Sequence, residues 1–266
     1  MKRMRPLLGT YVEIGAQSAQ SKLASAIDAA FEAIQEIQSL LSFHDAGSDL
    51  SRLNAAQGEE VILRPHSLRM MRLAKAMTRA SGGRFNCTVG GTLVRKGVLP
   101  DHGIKDYLDS GNADDIELRG NKVRLCRPVL LTLDGIAKGY AVDCAIQVLQ
   151  QHGVEAGWVN AGGDLRVYGA LVLPVQRREM NGEFSALGGL SNAAIATSCV
   201  RKTPDADFPA WIVGDLHVPV SGVWSALART AWRADALTKV AAVASEHERE
   251  ALIRDLGGKL IGGIAA

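Results

Sequence analysis

The chain has 266 residues, of which 47% are hydrophobic and 22% are charged, a balance typical of globular proteins that bury a full core. Its formal net charge of +2 arises from basic and acidic residues scattered along the sequence, which argues against a nucleic-acid-binding surface. The four cysteines lie far apart and form no CxxC pair, so the sequence indicates neither a zinc site nor a disulfide framework.

The N-terminus is basic and then apolar, MKRMRPLLGTYVEIGA, as in a secretion signal. Gly9, Thr10 and Glu13 interrupt its apolar run, which is too short for a signal core, and no lipobox cysteine follows. No window has the length of a membrane-spanning helix. We therefore expect a cytoplasmic protein without a membrane segment, or a form trimmed of an export leader.

The first third of the chain predicts a strand followed by two helices. Residues 10–15 alternate between polar and apolar, and residues 21–42 keep the 3.6-residue period of a helix. A second helix is predicted over residues 67–81, where Gly82 and Gly83 end it. Phe43 is the one aromatic residue of the polar loop SFHDAGSDLSRLN. It either covers the core or stacks on the planar ring of a ligand.

The middle of the chain centres on residues 133–164, LDGIAKGYAVDCAIQVLQQHGVEAGWVNAGGD. Before them, residues 101–121 predict a surface excursion, and residues 122–127 with 129–133 predict a hairpin. The stretch itself predicts a glycine turn, a helix opening at Gly139 and a strand. Backbone N–H groups at such a helix start can bind phosphate, although most glycine turns of this kind bind nothing.

The last third predicts strands over 165–173, 194–198, 211–214 and 218–226, then a helix over 234–244. On that helix Asp235 shares a face with Thr238 and with Lys239. A carboxylate with a neighbouring hydroxyl suits Mg²⁺. The local pattern favours the alternative, in which Asp235 stabilises the helix start and pairs with Lys239. No repeat and no linker rich in Pro or Ser occurs, so we predict a single α+β domain.

Several motifs together resemble those of one family. They are LLGTYVEI, SFHDAGSDLSRLN, FNCTVGGTLV, LDGIAKGYAVD, VNAGGDLRVYG, AIATS and ADALTKVA. Their order, from Leu8 to about Ala242, is similar to that of the FAD:protein FMN transferases, the ApbE-like flavinylating enzymes. The resemblance implies one T-fold-related α+β domain over residues 1–266, with mixed or antiparallel sheets and packed helices.

The resemblance also implies an activity. The enzymes of that family bind FAD and Mg²⁺, move the FMN phosphoryl group onto a Thr or Ser hydroxyl of an acceptor flavoprotein, and release AMP. Such a transfer needs a positioned pyrophosphate and neutralisation of its developing charge, which glycine turns, a lysine and a metal can provide.

Site residues follow from matching the motifs position by position. The resemblance implies contacts with FAD from Leu8, Phe43, Thr88, Val89, Gly90, Thr132, Lys138 and Ile212. It implies metal ligands at Gly135, through its carbonyl oxygen, and at Asp235 and Thr238. No catalytic base is assigned.

The sequence departs from the family pattern at three places. Thr132 stands where the family often has Asp, with Asp134 nearby, and Lys239 stands where it usually has Thr. An ammonium beside Asp235 either weakens Mg²⁺ binding or partly replaces its charge. The family's HxxDP segment is missing: alignment on Pro219 places Ala210 at the His and Val213 at the Asp, and His217 is a possible substitute.

These features leave three hypotheses, of which we expect the first. The protein is a divergent FMN transferase, a flavin-binding protein without transfer, or an enzyme that hydrolyses FAD to FMN and AMP with Mg²⁺. The retained Asp235 favours chemistry, whereas the missing His favours binding alone, because a general base contributes about 10²–10⁴-fold in rate.

Overall fold

The computed structural model describes residues 1–19, 22–201, 212–214 and 218–265. Its helices are α1 Leu23–Leu41, α2 Asp49–Ala55, α3 Pro65–Ala80, α4 Gly90–Arg95, α5 Ala137–Gln151, α6 Ala231–Val243 and α7 Glu246–Asp255. Its strands are β1 Lys2–Leu7, β2 Thr10–Gln17, β3 Val61–Ile62, β4 Ile116–Arg119, β5 Lys122–Leu125, β6 Ala156–Ala161, β7 Asp164–Tyr168, β8 Leu173–Arg178, β9 Phe184–Leu190, β10 Ala194–Val200, β11 Gly222–Ala228 and β12 Gly258–Ala265.

The strands form antiparallel sheets, and the largest has the order β1-β2-β6-β7-β10-β11-β12. Strands β3, β5 and β4 form a small sheet, and β8 pairs with β9 as a separate hairpin. Helix α5 packs between α1 and α6, and α5 and α6 both contact the large sheet. Val12 and Ile14 of β2 are fully buried in the resulting core. This mixed helix and antiparallel architecture confirms the predicted α+β class.

Helices α5 and α6 meet closely at their first turns. A Cβ atom on Gly139 would lie 2.3 Å from the carbonyl oxygen of Ala231, so only glycine allows this approach. Asp143 of α5 accepts hydrogen bonds from the backbone N–H groups of Ala231 and Trp232, at 3.0 and 2.9 Å. These bonds satisfy the start of α6 and hold Asp235 beside the start of α5.

Most of the predicted elements are present. The helices predicted over 21–42, 67–81 and 234–244 correspond to α1, α3 and α6, and the helix expected at Gly139 is α5. The strands predicted over 10–15 and 194–198 are β2 and β10, and that over 218–226 is β11, shifted toward the C-terminus. In the described part of the chain, no helix combines the length and apolar character needed to cross a membrane.

Three predicted elements differ from the structure in their bounds or in their presence. The strand over 165–173 ends at Tyr168, because Gly169 turns the chain with a φ of +80°. The hairpin forms between β4 and β5 around Gly120, at φ +60°, and residues 129–133 form no strand. Of the strand predicted over 211–214, residue 211 lies outside the described residues and 212–214 are irregular.

Candidate functional site

A cavity of about 750 Å³ is lined by residues of α5, α6, β10 and the β8–β9 hairpin. Its walls come from the loop before α4, the turn before α5, the β6–β7 turn, the hairpin, the end of β10 and residues 212–213. Small-molecule and cofactor sites have volumes of about 300–1,000 Å³. The cavity is therefore large enough for a nucleotide cofactor.

The cavity lining combines basic and apolar side chains. Among its described lining residues, six side chains are basic and two are acidic; these are Arg84, Lys138, Arg177, Arg178, Arg201 and Lys239, with Asp134 and Glu179. The apolar lining includes Val89, Leu93, Leu165, Val175 and Ile195. This combination suits a ligand that carries anionic groups and a planar apolar ring.

Lys138 and Asp164 form an ion pair at the cavity. Lys138 belongs to the first turn of α5, and its Nζ lies 3.5 Å from Oδ2 of the buried Asp164, the first residue of β7. That oxygen is buried and has no hydrogen-bond partner among the described residues. Burial and the nearby Asp235 carboxylate raise the pKa of Asp164 to about 6, against the opposing effect of Lys138 and Lys239. In turn, the Asp164 carboxylate raises the pKa of Lys138, so this ammonium stays protonated.

Asp235 is fully buried and both of its carboxylate oxygens have partners. Oδ2 accepts a hydrogen bond of 3.2 Å from the backbone N–H of Gly139, and Oδ1 forms an ion pair with Nζ of Lys239. The interpretation of residue 239 as an ion-pair partner is therefore confirmed. The Gly139 N–H is not available to a phosphate, because a protein carboxylate already accepts from it.

The predicted metal ligands do not converge on one open position. The hydroxyl of Thr238 donates to the backbone oxygen of Asp235 at 2.7 Å and lies 2.7 Å from Oγ of Ser198. Gly135 lies on the cavity wall, but a Cβ there would meet Cε of Lys239 at 3.3 Å. The described part of the chain contains no group of three or more His, Cys, Asp or Glu side chains able to hold a metal. The residues present do not fit the predicted Mg²⁺ site.

Four of the predicted FAD contacts lie together on the cavity wall. They are Val89, Thr132, Lys138 and Ile212. Val213, at the position of the missing family Asp, lines the cavity beside Ile212. Ala210 and His217 lie outside the described residues. The predicted contacts that share the cavity therefore come from the loop before α4, the turn before α5 and the Ile212 segment.

Two other predicted FAD contacts are not among the residues that line the cavity. Phe43 is 1% exposed within the main core, where its carbonyl oxygen lies 2.7 Å from Nε2 of His102. Of the two interpretations of Phe43, the structure therefore supports the one in which its ring covers the core. Leu8 lies in the tight turn between β1 and β2 at φ +56°, and its backbone N–H donates to Oε1 of Gln38. The sequence pattern does not show how far these residues lie from the cavity, because that distance depends on the tertiary structure.

Thr88 and Gly90 shape the turn that presents Val89. The hydroxyl of Thr88 donates to Oδ1 of Asn86 at 2.7 Å and accepts from the N–H of Gly111 at 2.9 Å. A Cβ on Gly90 would lie 2.5 Å from the carbonyl oxygen of Leu130, so the turn requires glycine. Both residues are buried and neither lines the cavity. They shape its wall by holding the turn that presents Val89.

The β8–β9 hairpin is a cavity wall that the sequence interpretation missed. Phe184 on this wall is 67% exposed, whereas Phe43 is buried. Phe184 is therefore accessible to a planar ligand and Phe43 is not. The buried Arg177 fixes the hairpin to β12 by donating to the carbonyl oxygens of Ile261, at 3.1 Å, and Gly262. The dipeptide Asn181-Gly182 between the strands is a strong hairpin signal and could have located it.

The sequence and the architecture together match known proteins. Residues 8–261 match the family model described as the ApbE family. The chain belongs to the ApbE family. Among curated members, a protein named FAD:protein FMN transferase from Treponema pallidum is 25% identical over 185 residues, which are 63% of this chain and 51% of that protein. One of the same name from Vibrio cholerae is 26% identical over 51% of this chain and 44% of that protein. The matched stretch spans about half the length of these curated relatives.

Two solved ApbE structures share the fold over nearly their full length. The flavin transferase ApbE from Vibrio cholerae superposes with a TM-score of 0.81 at 19% identity and covers 100% of this chain and 96% of that chain. The ApbE protein from Thermotoga maritima gives a TM-score of 0.82 at 21% identity with the same coverage. At these identities the likeness establishes the fold.

Proposed function

We propose that this ApbE-family chain is an FAD:protein FMN transferase. It would move the FMN phosphoryl group of FAD onto a Thr or Ser hydroxyl of an acceptor flavoprotein and release AMP. The observation that carries the proposal is the 750 Å³ cavity, where Lys138 and Lys239 lie on the same lining as an apolar wall and the exposed Phe184. Relatives from Treponema pallidum, Vibrio cholerae and Klebsiella pneumoniae are named for this activity.

The two lysines would bind the pyrophosphate of FAD. Phosphoryl transfer needs little covalent chemistry from the protein, because positioning and neutralisation of charge provide most of the catalysis. Lys138 brings a permanent positive charge, since Asp164 raises its pKa. The apolar lining and Phe184 would take the isoalloxazine ring, which gains from stacking on an aromatic side chain.

The reaction exchanges the phosphoanhydride bond of FAD for a phosphate ester bond to the acceptor. The acceptor hydroxyl oxygen bonds to the FMN phosphorus, and the bond from that phosphorus to the bridging oxygen breaks. AMP leaves with the bridging oxygen, and the hydroxyl proton passes to solvent. Val213 stands at the position of the family's HxxDP Asp, and Ala210, at the His position, lies outside the described residues, so the proposal assigns no protein base. It also routes no step through Mg²⁺, because the predicted ligands do not fit one.

The test is a transfer reaction with the purified protein, FAD and a recombinant acceptor flavoprotein domain that carries a target Thr. After denaturing electrophoresis, ultraviolet fluorescence on the acceptor band supports transfer. An acceptor with that Thr changed to Ala is the matched control and should stay dark.

Two other results would replace the proposal. FMN and AMP in solution with an unlabelled acceptor would show hydrolysis of FAD. Bound FAD without turnover, across acceptors and with or without Mg²⁺, would show a flavin-binding protein. Chromatography of the reaction mixture separates these outcomes, since it resolves FAD, FMN and AMP.

A further inference from the structure

The side chain of Lys239 fills the space between two of the predicted metal ligands. A Cβ on Gly135 would meet Cε of Lys239 at 3.3 Å and Cγ at 3.4 Å, so the lysine stem lies directly over this glycine. The ammonium then reaches Oδ1 of Asp235 and donates to Oγ of Ser198 at 3.2 Å. A positive charge therefore already lies where a cation bridging Asp235 and Gly135 would bind.

The ammonium is positioned to act on a ligand as well as on Asp235. A lysine ammonium has three N–H donors, and two of them have partners in Asp235 and Ser198. The Lys239 side chain is 19% exposed and lines the cavity. The third donor can therefore point to an anionic group of a molecule bound in the cavity, which Lys138 also lines.

A divalent cation would have to displace this ammonium. It would take the Asp235 carboxylate away from Lys239 and then lie a few ångströms from a like charge in a partly buried cavity, which is unfavourable. Thr238 offers no replacement ligand, because its hydroxyl already bonds to the Asp235 backbone and contacts Ser198. The buried carboxylate is thus neutralised from within the chain.

We infer that Lys239 is the resident cation of this site, and that the protein binds and uses FAD without a divalent metal at Asp235. The inference rests on the proposed function for its catalytic part. In the transfer step the Lys239 ammonium would neutralise the pyrophosphate oxygens while the AMP oxygen leaves. The bonds formed and broken are those of the proposed transfer, and Lys239 adds no further reactant.

The first test measures metal binding without any turnover. Mn²⁺ is titrated into the FAD-free protein, and electron paramagnetic resonance reports the free ion. We expect no Mn²⁺ bound at Asp235 in the wild type, and one bound ion in Lys239→Thr, which restores the residue usual in the family. Lys239→Arg keeps the positive charge and should exclude Mn²⁺ as the wild type does.

The second test measures transfer in EDTA and in Mg²⁺. We expect the wild-type rate to agree within about twofold between the two conditions. Lys239→Thr should lose at least about 100-fold in EDTA, the order expected when a charge stabiliser is removed, and regain activity with Mg²⁺. The wild-type comparison needs no variant, so it stays decisive if Lys239→Thr does not fold.

Three results would overturn the inference. They are wild-type binding of Mn²⁺ that Asp235→Asn abolishes, wild-type transfer that stops in EDTA and resumes with Mg²⁺, and Lys239→Thr that binds no Mn²⁺. Absence of transfer under every condition would refute the proposed function instead, and the Mn²⁺ titration would still decide which cation occupies the site.

Discussion

Two buried aspartates of this chain have opposite environments. Asp49 starts α2 away from the cavity, and its oxygens accept from the side chain and backbone N–H of Arg64, from Ser67 Oγ at 2.7 Å and from Arg52. Burial would raise the pKa of Asp49, but the hydrogen bonds from Arg64 and Ser67 outweigh it and hold the pKa below its usual value. This carboxylate is fully satisfied by the protein.

Asp164 has the opposite balance. Burial and the Asp235 carboxylate raise its pKa, its Oδ2 has no hydrogen-bond partner among the described residues, and its ion-pair partner Lys138 faces the cavity. A protein tends to satisfy the charges that only hold its structure, and to leave perturbed charges where a ligand completes them. The comparison separates a structural aspartate in α2 from the cluster between α5, β7 and α6 that the proposed function would use.

The largest expected effect on activity is that of Asp235→Ala. The change removes the partner that positions the Lys239 ammonium and leaves the Gly139 N–H without an acceptor. We expect the transfer rate to fall by about 10²–10³-fold, the scale of losing one positioned electrostatic group. Single-turnover transfer of FMN to the acceptor measures it. Unchanged turnover would show that Asp235 has no role in the transfer reaction.

Asp49→Ala should have its effect on stability. The change leaves the buried Ser67 hydroxyl and the Arg64 N–H without their acceptor, so we expect the free energy of unfolding to fall by about 2–4 kcal/mol. Urea denaturation measures it. The transfer rate of the folded variant should stay within about twofold of the wild type. A variant of wild-type stability and impaired transfer would reverse the assignment of the two aspartates.

Asp164→Asn should change how stability depends on pH. The pKa of Asp164 is about 6 in the folded protein against an ordinary value of 3.8, so the folded state holds its proton more tightly and loses stability as pH rises through this range. Asn resembles the protonated form at every pH. The free energy of unfolding of the variant, measured relative to that of the wild type, should therefore rise by about 1–3 kcal/mol from pH 4 to pH 6. Urea titrations at both pH values check it, and a constant difference would contradict it.

Phe184→Ala should give the smallest effect. The side chain is exposed on the cavity wall, so its loss removes ring stacking while leaving the core intact. We expect FAD to bind about 3–10-fold more weakly, in line with an aromatic contact of about 0.5–1.5 kcal/mol. Quenching of flavin fluorescence measures the affinity. The exposed Val218, which is absent from the cavity lining, is the matched control, and Val218→Ala should bind FAD as the wild type does.

The sequence by itself determined the fold class, the long helices and the family. Periodic apolar residues specify α1, α3 and α5, because burial of a continuous stripe dominates their stability. The ion pair of Asp235 with Lys239 was also predictable, since residues four apart on a helix share a face. The β8–β9 hairpin carried a local turn signal but little apolar alternation, which is why its strands were missed.

Only the tertiary structure decided which of the predicted site residues meet. Whether Phe43 faces a ligand or the core depends on how α1, α2 and the loop near His102 pack, and no local pattern records that packing. The position of Lys239 over Gly135 likewise depends on the approach of α6 to α5, which Gly139 and Asp143 set from another segment. Local periodicity encodes which face of an element is buried, whereas distances between groups far apart in sequence arise only when those faces pack together.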